Sequence, residues 1–144
     1  MSTTAVPPEI DDIAGELRLP ATLDAVRVAR DAVEHALYLT GWHDKDSWPV
    51  VLAANEAVAN AVVHGSWPGG SVRVGFEATP GHATVRVVDE GGPDAMCPSS
   101  AQAPPPTSAI SGRGLVLMQA ISHMLLVRPE GGGTAVLLEF RRAA

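Results

Sequence analysis

LAANEAVANAVVHG, residues 52–65, is the stretch that decides the fold. Its polar residues Glu56, Asn60 and His64 recur every four positions, so a helix places them one turn above each other on one stripe. The apolar residues that project roughly oppositely are Val51, Ala54, Val58 and Val62. Such a helix has two interpretations: an ordinary amphipathic helix in water, or an oxygen-ligand site for Mg²⁺, which favours carboxylate, carboxamide and phosphate oxygens. The stripe carries no Lys or Arg, which favours the second interpretation.

The segments before this stretch predict a strand and a helix. A short strand is expected at residues 16–19, followed by a helix over residues 22–40 that Thr22 caps. The helix of the opening stretch is predicted to begin at Ser47, because Pro49 two residues later is typical of a first turn. It is predicted to stop at Gly65.

Alternation and turn residues predict the rest of the fold. Residues 72–76 and 83–87 alternate apolar with other residues around the turn TPGH, as in an antiparallel hairpin. A helix is predicted to start near Gly114, and two strands at about 125–127 and 134–140 flank the turn EGGG. This order predicts an α+β fold, a two-layer α/β sandwich in which the helices share one face of the sheet.

Composition narrows the class of protein. The chain has 144 residues, 46% of them hydrophobic, which suits one domain with a core of its own. The formal net charge is −6 and no block of Lys or Arg occurs, so nucleic-acid binding is not expected. Cys97 is the single cysteine, which excludes an internal disulfide and a multi-cysteine metal site.

The same inspection sets the expected domain limits and location. Residues 1–14 are expected to form a flexible N-terminal tail, and residues 15–142 a single domain. Within that domain, about residues 92–112 form a long Gly-, Pro- and Ser-rich stretch, which is typical of a functional lid or a disordered segment. The start of the chain has no signal-peptide pattern, and no apolar run reaches about 18 residues, so a cytoplasmic protein without a membrane span is expected.

A second polar cluster lies in VRVVDEGG, where Asp89 follows a strand. A carboxylate at a strand end, next to glycines that let the backbone bend, can accept a hydrogen bond from a ligand amino group. The competing interpretation is a strand that runs into an ordinary turn, and the residues alone leave both open.

The third cluster is SGRGL, residues 111–115, which leads into the last helix. Backbone N–H groups at a helix start, freed of side chains by Gly112 and Gly114, suit a phosphate. Glycines placed there for packing alone explain the same pattern.

Together the three clusters, in this order and separated by a hairpin and a proline-rich segment, resemble the GHKL ATPase superfamily over about residues 17–140. A free-standing domain with Glu-x-x-x-Asn-x-x-x-His-Gly is most similar to its anti-sigma-factor serine/threonine kinases. The matching motifs are Glu56–Asn60–His64–Gly65 for the N box, Asp89–Glu90–Gly91 and Gly112–Arg113–Gly114 for the glycine boxes, and Gly133–Thr134 for the closing nucleotide contact.

The resemblance implies a Bergerat ATP-binding fold, a mixed and mainly antiparallel sheet with helices on one face and ATP beneath a lid. It implies that Asn60 ligates Mg²⁺ through the phosphates and that Glu56 is the catalytic base for transfer to a serine. Asp89 is implied to accept from the adenine amino group, with help from Thr134. The other implied nucleotide contacts are His64, Gly91, Gly112, Arg113, Gly114 and Leu115.

The implied partners are a sigma factor, an anti-sigma-factor antagonist that is phosphorylated on serine, and a second copy in a homodimer. Two departures from the family pattern keep alternatives open. Pro93 stands where the first glycine box has its second glycine, and the lid from Pro93 to Ser111 has no Lys or Arg. The alternatives are a non-catalytic partner-binding regulator with this fold and a kinase of another regulatory protein.

Overall fold

The computed structural model describes residues 10–91 and 112–142, without the side chains of residues 112 and 113. The predicted lid therefore lies almost wholly outside the described residues, as do most of the predicted tail and the Arg113 side chain. The elements, in chain order, are β1 (Ile13–Pro20), α1 (Asp24–Leu39), α2 (Asp44–Asn60), a π-helical turn (Ala61–Gly65), β2 (Ser71–Thr79), β3 (His82–Asp89), α3 (Gly112–Ile121), β4 (Met124–Glu130) and β5 (Gly133–Arg141).

Within those residues, five strands form one sheet in the order β1-β2-β3-β5-β4, and the three α-helices share one of its faces. This confirms the predicted α+β two-layer sandwich. All paired strands run antiparallel. The parallel component implied by the resemblance is reduced, in the described part of the chain, to an isolated bridge between Ser66 and Gly91.

The register of the sheet separates an apolar face from a polar one. Val74 lies opposite Val87, and Val87 lies opposite Val136, so aliphatic side chains of three strands meet beneath the helices. The helices face them with small residues, among them Ala29 on α1 and Ala57 on α2, both about 1% exposed. Small side chains allow the helices to lie close to the aliphatic face of the sheet.

Two predicted helix starts are wrong. Thr22 does not cap α1: the helix begins at Asp24, and the carbonyls of Thr22 and Leu23 accept from the first free N–H groups at 2.9 and 3.1 Å. α2 begins at Asp44, three residues before the predicted Ser47, because the His43 carbonyl accepts from the N–H groups of Asp46 and Ser47. Backbone acceptors at both starts satisfy donors that a side chain was expected to satisfy.

Beyond Asn60, helix α2 continues into a π-helical turn. The predicted stop at Gly65 is confirmed, but the last five residues form a π-helical turn, Ala61–Gly65, in which each turn is wider than in an α-helix. Such turns occur frequently at functional sites. Here the turn carries His64 and Gly65 to the end of strand β3.

Candidate functional site

A narrow recess lies between the end of α2 and the sheet. Among the residues that line it are Asn60, His64, Gly65 and Asp89, with an aliphatic floor from β3 and β5. The structure thus brings together three polar residues that the sequence placed 25 to 29 positions apart in two motifs: Asn60 and His64 with Asp89. It does so because Asp89 pairs with the fully buried Val72, which fixes its side chain on the helix-covered face of the sheet.

Asp89 is a buried carboxylate, 7% exposed, with one oxygen fully engaged. Its Oδ1 accepts from the backbone N–H of Gly91 at 2.9 Å and from that of Thr134 at 3.1 Å. Burial raises the pKa of Asp89 to about 6, and these two hydrogen bonds oppose the rise. The side chain is therefore a charged acceptor at neutral pH, held in one orientation.

Glycines surround this carboxylate on three sides. Gly65 lies so close to Oδ2 that a Cβ there would overlap it, and a Cβ on Gly133 would lie 2.5 Å from Oδ1. Gly91 has φ +91, a conformation that side chains disfavour, and its position faces the Gly132 carbonyl. The backbone of three segments can approach Asp89 only because these positions carry no side chain.

Asn60 has an amide nitrogen, Nδ2, that is buried and has no hydrogen-bond partner among the residues described. An unpaired buried amide is costly, and native proteins rarely leave one without a reason. A half-turn of the amide exchanges its nitrogen and oxygen, so the same position can offer a donor to a phosphate or an acceptor to a cation. The side chain fits the role that the resemblance implies for it.

Glu56 lies one helical turn before Asn60 and is half-buried. It makes no hydrogen bond and no ion pair within the part of the chain that the structure describes. It does not line the recess with Asp89. The arrangement leaves the Glu56 carboxylate available to accept a proton, and its role as the catalytic base stays a prediction.

The last predicted motif opens helix α3, which begins at Gly112. Gly114 is buried, and the Leu115 side chain packs against the hydrophobic core. A nucleotide contact of Leu115 would therefore come from its backbone. The phosphate contacts predicted for Gly112, Arg113 and Gly114 stay predictions.

The sequence did not predict three features of this site. Gly65 is in contact with Asp89 and is more than a helix stop, the π-helical turn has no sequence signature, and Thr134 reaches Asp89 through its backbone N–H. Contacts between segments far apart in the chain decide all three, and local pattern does not report them.

The described residues contain neither a cluster of metal-ligating side chains nor a helix that could span a membrane. Within residues 10–91 and 112–142, no group of three or more His, Cys, Asp or Glu side chains could hold a metal ion, so Mg²⁺ held through Asn60 would take its further ligands from phosphate or water oxygens. No described helix is both long enough and apolar enough to cross a bilayer.

Comparison with known proteins agrees with this geometry. Residues 19–140 match the family described as histidine kinase-like ATPase domain. The fold is similar to the crystal structure of the RsbU and RsbW domains of Rv1364c from Mycobacterium tuberculosis, with a TM-score of 0.67 and 25% identity. That match covers 90% of this chain but only 32% of the other, so the chain spans about a third of that protein's length. Curated protein sequences give no significant match. The chain therefore belongs to the histidine kinase-like ATPase (GHKL) family, and it is an RsbW-like member of it.

Proposed function

We propose that the chain is an ATP-binding anti-sigma factor and serine-protein kinase, which holds a sigma factor and phosphorylates an anti-sigma-factor antagonist. The observation that carries the proposal is the recess that a fixed, charged acceptor, Asp89, shares with Asn60, whose amide nitrogen has no partner among the described residues. The Asp89 carboxylate can accept a hydrogen bond from an adenine amino group, and the Asn60 amide can bind a phosphate or its cation. We further propose a cytoplasmic protein that acts as a homodimer.

In the proposed reaction, the serine hydroxyl oxygen forms a bond to the γ-phosphorus while the bond from that phosphorus to the β–γ bridging oxygen breaks. ADP leaves with that bridging oxygen, and Glu56 accepts the proton of the serine. Mg²⁺, when bound with ATP through Asn60, would neutralise charge on the phosphates. The N-terminus of α3 would supply backbone donors to the same phosphates.

The test of ATP binding is calorimetric titration of ATP, with and without Mg²⁺, into the wild type and Asn60→Ala. Asn55→Ala is a matched control, because Asn55 lies on the same helix and also has a buried amide atom, Oδ1, without a partner among the described residues, yet lines another groove. We expect Asn60→Ala to weaken Mg-ATP binding at least tenfold and Asn55→Ala to leave it within about twofold. Equal losses in the two variants would mean that Asn60 acts only through the stability of α2.

The test of kinase activity is phosphate transfer to an antagonist protein with the wild type and Glu56→Gln. Because Glu56 is assigned to proton transfer, we expect Glu56→Gln to keep ATP affinity and to lower transfer about 10²-fold or more. Glu77→Gln, an exposed glutamate on the opposite face of the sheet, is the control. Retained transfer in Glu56→Gln would remove the catalytic assignment.

A second function, a non-catalytic partner-binding regulator, is favoured by Pro93 and by the absence of Lys and Arg from residues 93–111. Binding of a sigma factor by a wild type that transfers no phosphate to any antagonist would establish it. A kinase that transfers phosphate but retains no sigma factor would instead act on another regulatory protein.

A further inference from the structure

Glu90, between Asp89 and Gly91, holds the end of strand β3 to the beginning of β2. Its Oε1 accepts from the backbone N–H of Ser71 at 2.9 Å, and its Oε2 accepts from the Ser71 hydroxyl, also at 2.9 Å. Arg18 on β1 adds an ion pair to Oε2 at 3.4 Å and donates from Nε to the Ser71 hydroxyl at 3.2 Å. We call these three residues, Arg18, Ser71 and Glu90, the Glu90 clamp.

The clamp lies at the point where the sheet stops pairing. The last pair of the β2–β3 ladder joins Val72 to Asp89, and one residue further back Ser71 lies opposite Pro20 of β1. The Ser71 N–H therefore takes its acceptor from the Glu90 side chain, where a longer ladder would supply a backbone carbonyl. The Glu90 carboxylate fits beside Gly70 only because that residue has no side chain, since a Cβ there would lie 2.8 Å from Glu90 Oε1.

Because the Glu90 side chain accepts from the Ser71 N–H, the backbone after Asp89 is free to leave the sheet. It turns at Gly91, which has φ +91, bridges to Ser66 and donates its N–H back to Asp89 Oδ1. The Gly91 peptide is thus fixed between the Asp89 carboxylate and the clamp.

From this geometry we propose that Glu90 is a positioning residue for nucleotide recognition, because it fixes the turn that orients Asp89 toward an adenine amino group. The inference rests on the proposed ATP binding at Asp89. Glu90 is the middle residue of Asp89–Glu90–Gly91, a position at which the motif specifies no residue type. The inference gives it the role of holding the carboxylate that contacts the base.

The simplest competing explanation is a surface ion pair. The side chains of Arg18 and Glu90 are 71% and 46% exposed, and pairs in such positions contribute little. The bond from the Ser71 backbone separates the two explanations, because it does not involve Arg18. Loss of Arg18 should then change nucleotide preference no more than about threefold, whereas loss of Glu90 should abolish most of it.

The experiment compares ATP with the triphosphate of purine riboside, which lacks the 6-amino group, by calorimetry. In Glu90→Ala we expect the preference for ATP over the analogue to fall about tenfold, because Asp89 no longer presents a fixed acceptor. Glu90→Gln should retain part of the preference, since its amide oxygen can still accept from Ser71. The control is Glu130→Ala, because Glu130 also joins strands, through Arg73 and Arg86, on the polar face of the sheet. Equal weakening of both nucleotides in Glu90→Ala, with the preference kept, would overturn the proposal.

A measurement without nucleotide separates this inference from the proposed function. Hydrogen exchange of the Gly91 amide should be at least about tenfold faster in Glu90→Ala than in the wild type, intermediate in Glu90→Gln, which keeps one acceptor for Ser71, and unchanged in Glu130→Ala. Unchanged Gly91 exchange in folded Glu90→Ala overturns the positioning role. A wild type that binds no ATP overturns the proposed function, and the exchange result still decides whether Glu90 fixes the turn.

Discussion

Replacing Gly65 by alanine places a methyl group against the Asp89 carboxylate. The new Cβ would overlap Oδ2 and would lie 2.5 Å from Cγ and 2.9 Å from Cβ of Asp89. Neither side can yield easily, because Asp89 is held through Oδ1 by two backbone donors and Gly65 ends a π-helical turn. Overpacking of this kind costs about 1–3 kcal/mol of unfolding free energy.

The same collision should weaken ATP binding. A displaced Asp89 would lose the proposed hydrogen bond to the adenine amino group, and a bond to a charged acceptor contributes about 1.5–3 kcal/mol, which is about tenfold to hundredfold in affinity. Urea denaturation measures the first effect: with an m-value of about 2 kcal/mol/M, the midpoint should fall by about 0.5–1.5 M. Calorimetric titration of ATP measures the second.

Gly81→Ala is the matched control. Gly81 lies in the β2–β3 turn, has no heavy atom within 4 Å of its Cβ position, and does not have a positive φ. Its replacement should change stability by no more than about 0.5 kcal/mol. If Gly65→Ala is as stable as Gly81→Ala, the close contact with Asp89 is wrong; if it is destabilised but binds ATP normally, Asp89 does not contact the base.

Two further predictions concern buried polar contacts. Burial raises the pKa of Asp89 from 3.8 to about 6, so the folded chain binds this proton more tightly and loses stability as pH rises from about 4 through 6. Asp89→Asn should therefore be more stable than the wild type at about pH 8, by on the order of 1–3 kcal/mol after solvent screening, with no gain near pH 4. The variant should also lose ATP binding. If Asp89→Asn and the wild type have equal urea midpoints at both pH values, the buried charge is contradicted. Trp42 is 2% exposed and its Nε1 donates to the Thr79 carbonyl at 2.7 Å, so Trp42→Phe should cost about 1–2 kcal/mol in urea denaturation. Trp48→Phe, at a position 55% exposed, should cost less than about 0.5 kcal/mol, and equal costs would refute the distinction.

The parts of the fold that the sequence predicts are those with a repeating pattern. Alternation placed β2 and β3, and helical spacing placed α1 and the body of α2, because side-chain direction repeats along each element. The starts of α1 and α2 were missed because backbone carbonyls satisfy their first donors, and such carbonyls are present at every position of a sequence.

The site shows the same division between local and distant information. Asn60, His64 and Asp89 are candidates from the sequence because they belong to motifs with fixed spacing, and the structure shows that they line one recess. The contact of Gly65 with Asp89 joins residues 24 positions apart, and the hold of Glu90 on Ser71 joins residues 19 apart. Such contacts depend on the register of β2 against β3, which the hairpin predicts only approximately.

The distribution of buried polar groups identifies the site without reference to any motif. In the described part of the chain, the buried polar or charged residues are Thr40, Ser66, Asp89 and Thr134. Thr40 ends helix α1 and bonds to its carbonyls, which is a structural role. The other three lie together: Thr134 donates to Asp89, and Ser66 bridges to Gly91. Aliphatic residues would bury the same surface without desolvating a carboxylate, so stability does not explain this cluster. Its concentration beside Asn60, in a core otherwise built from apolar side chains, is the physical reason to place ligand recognition here.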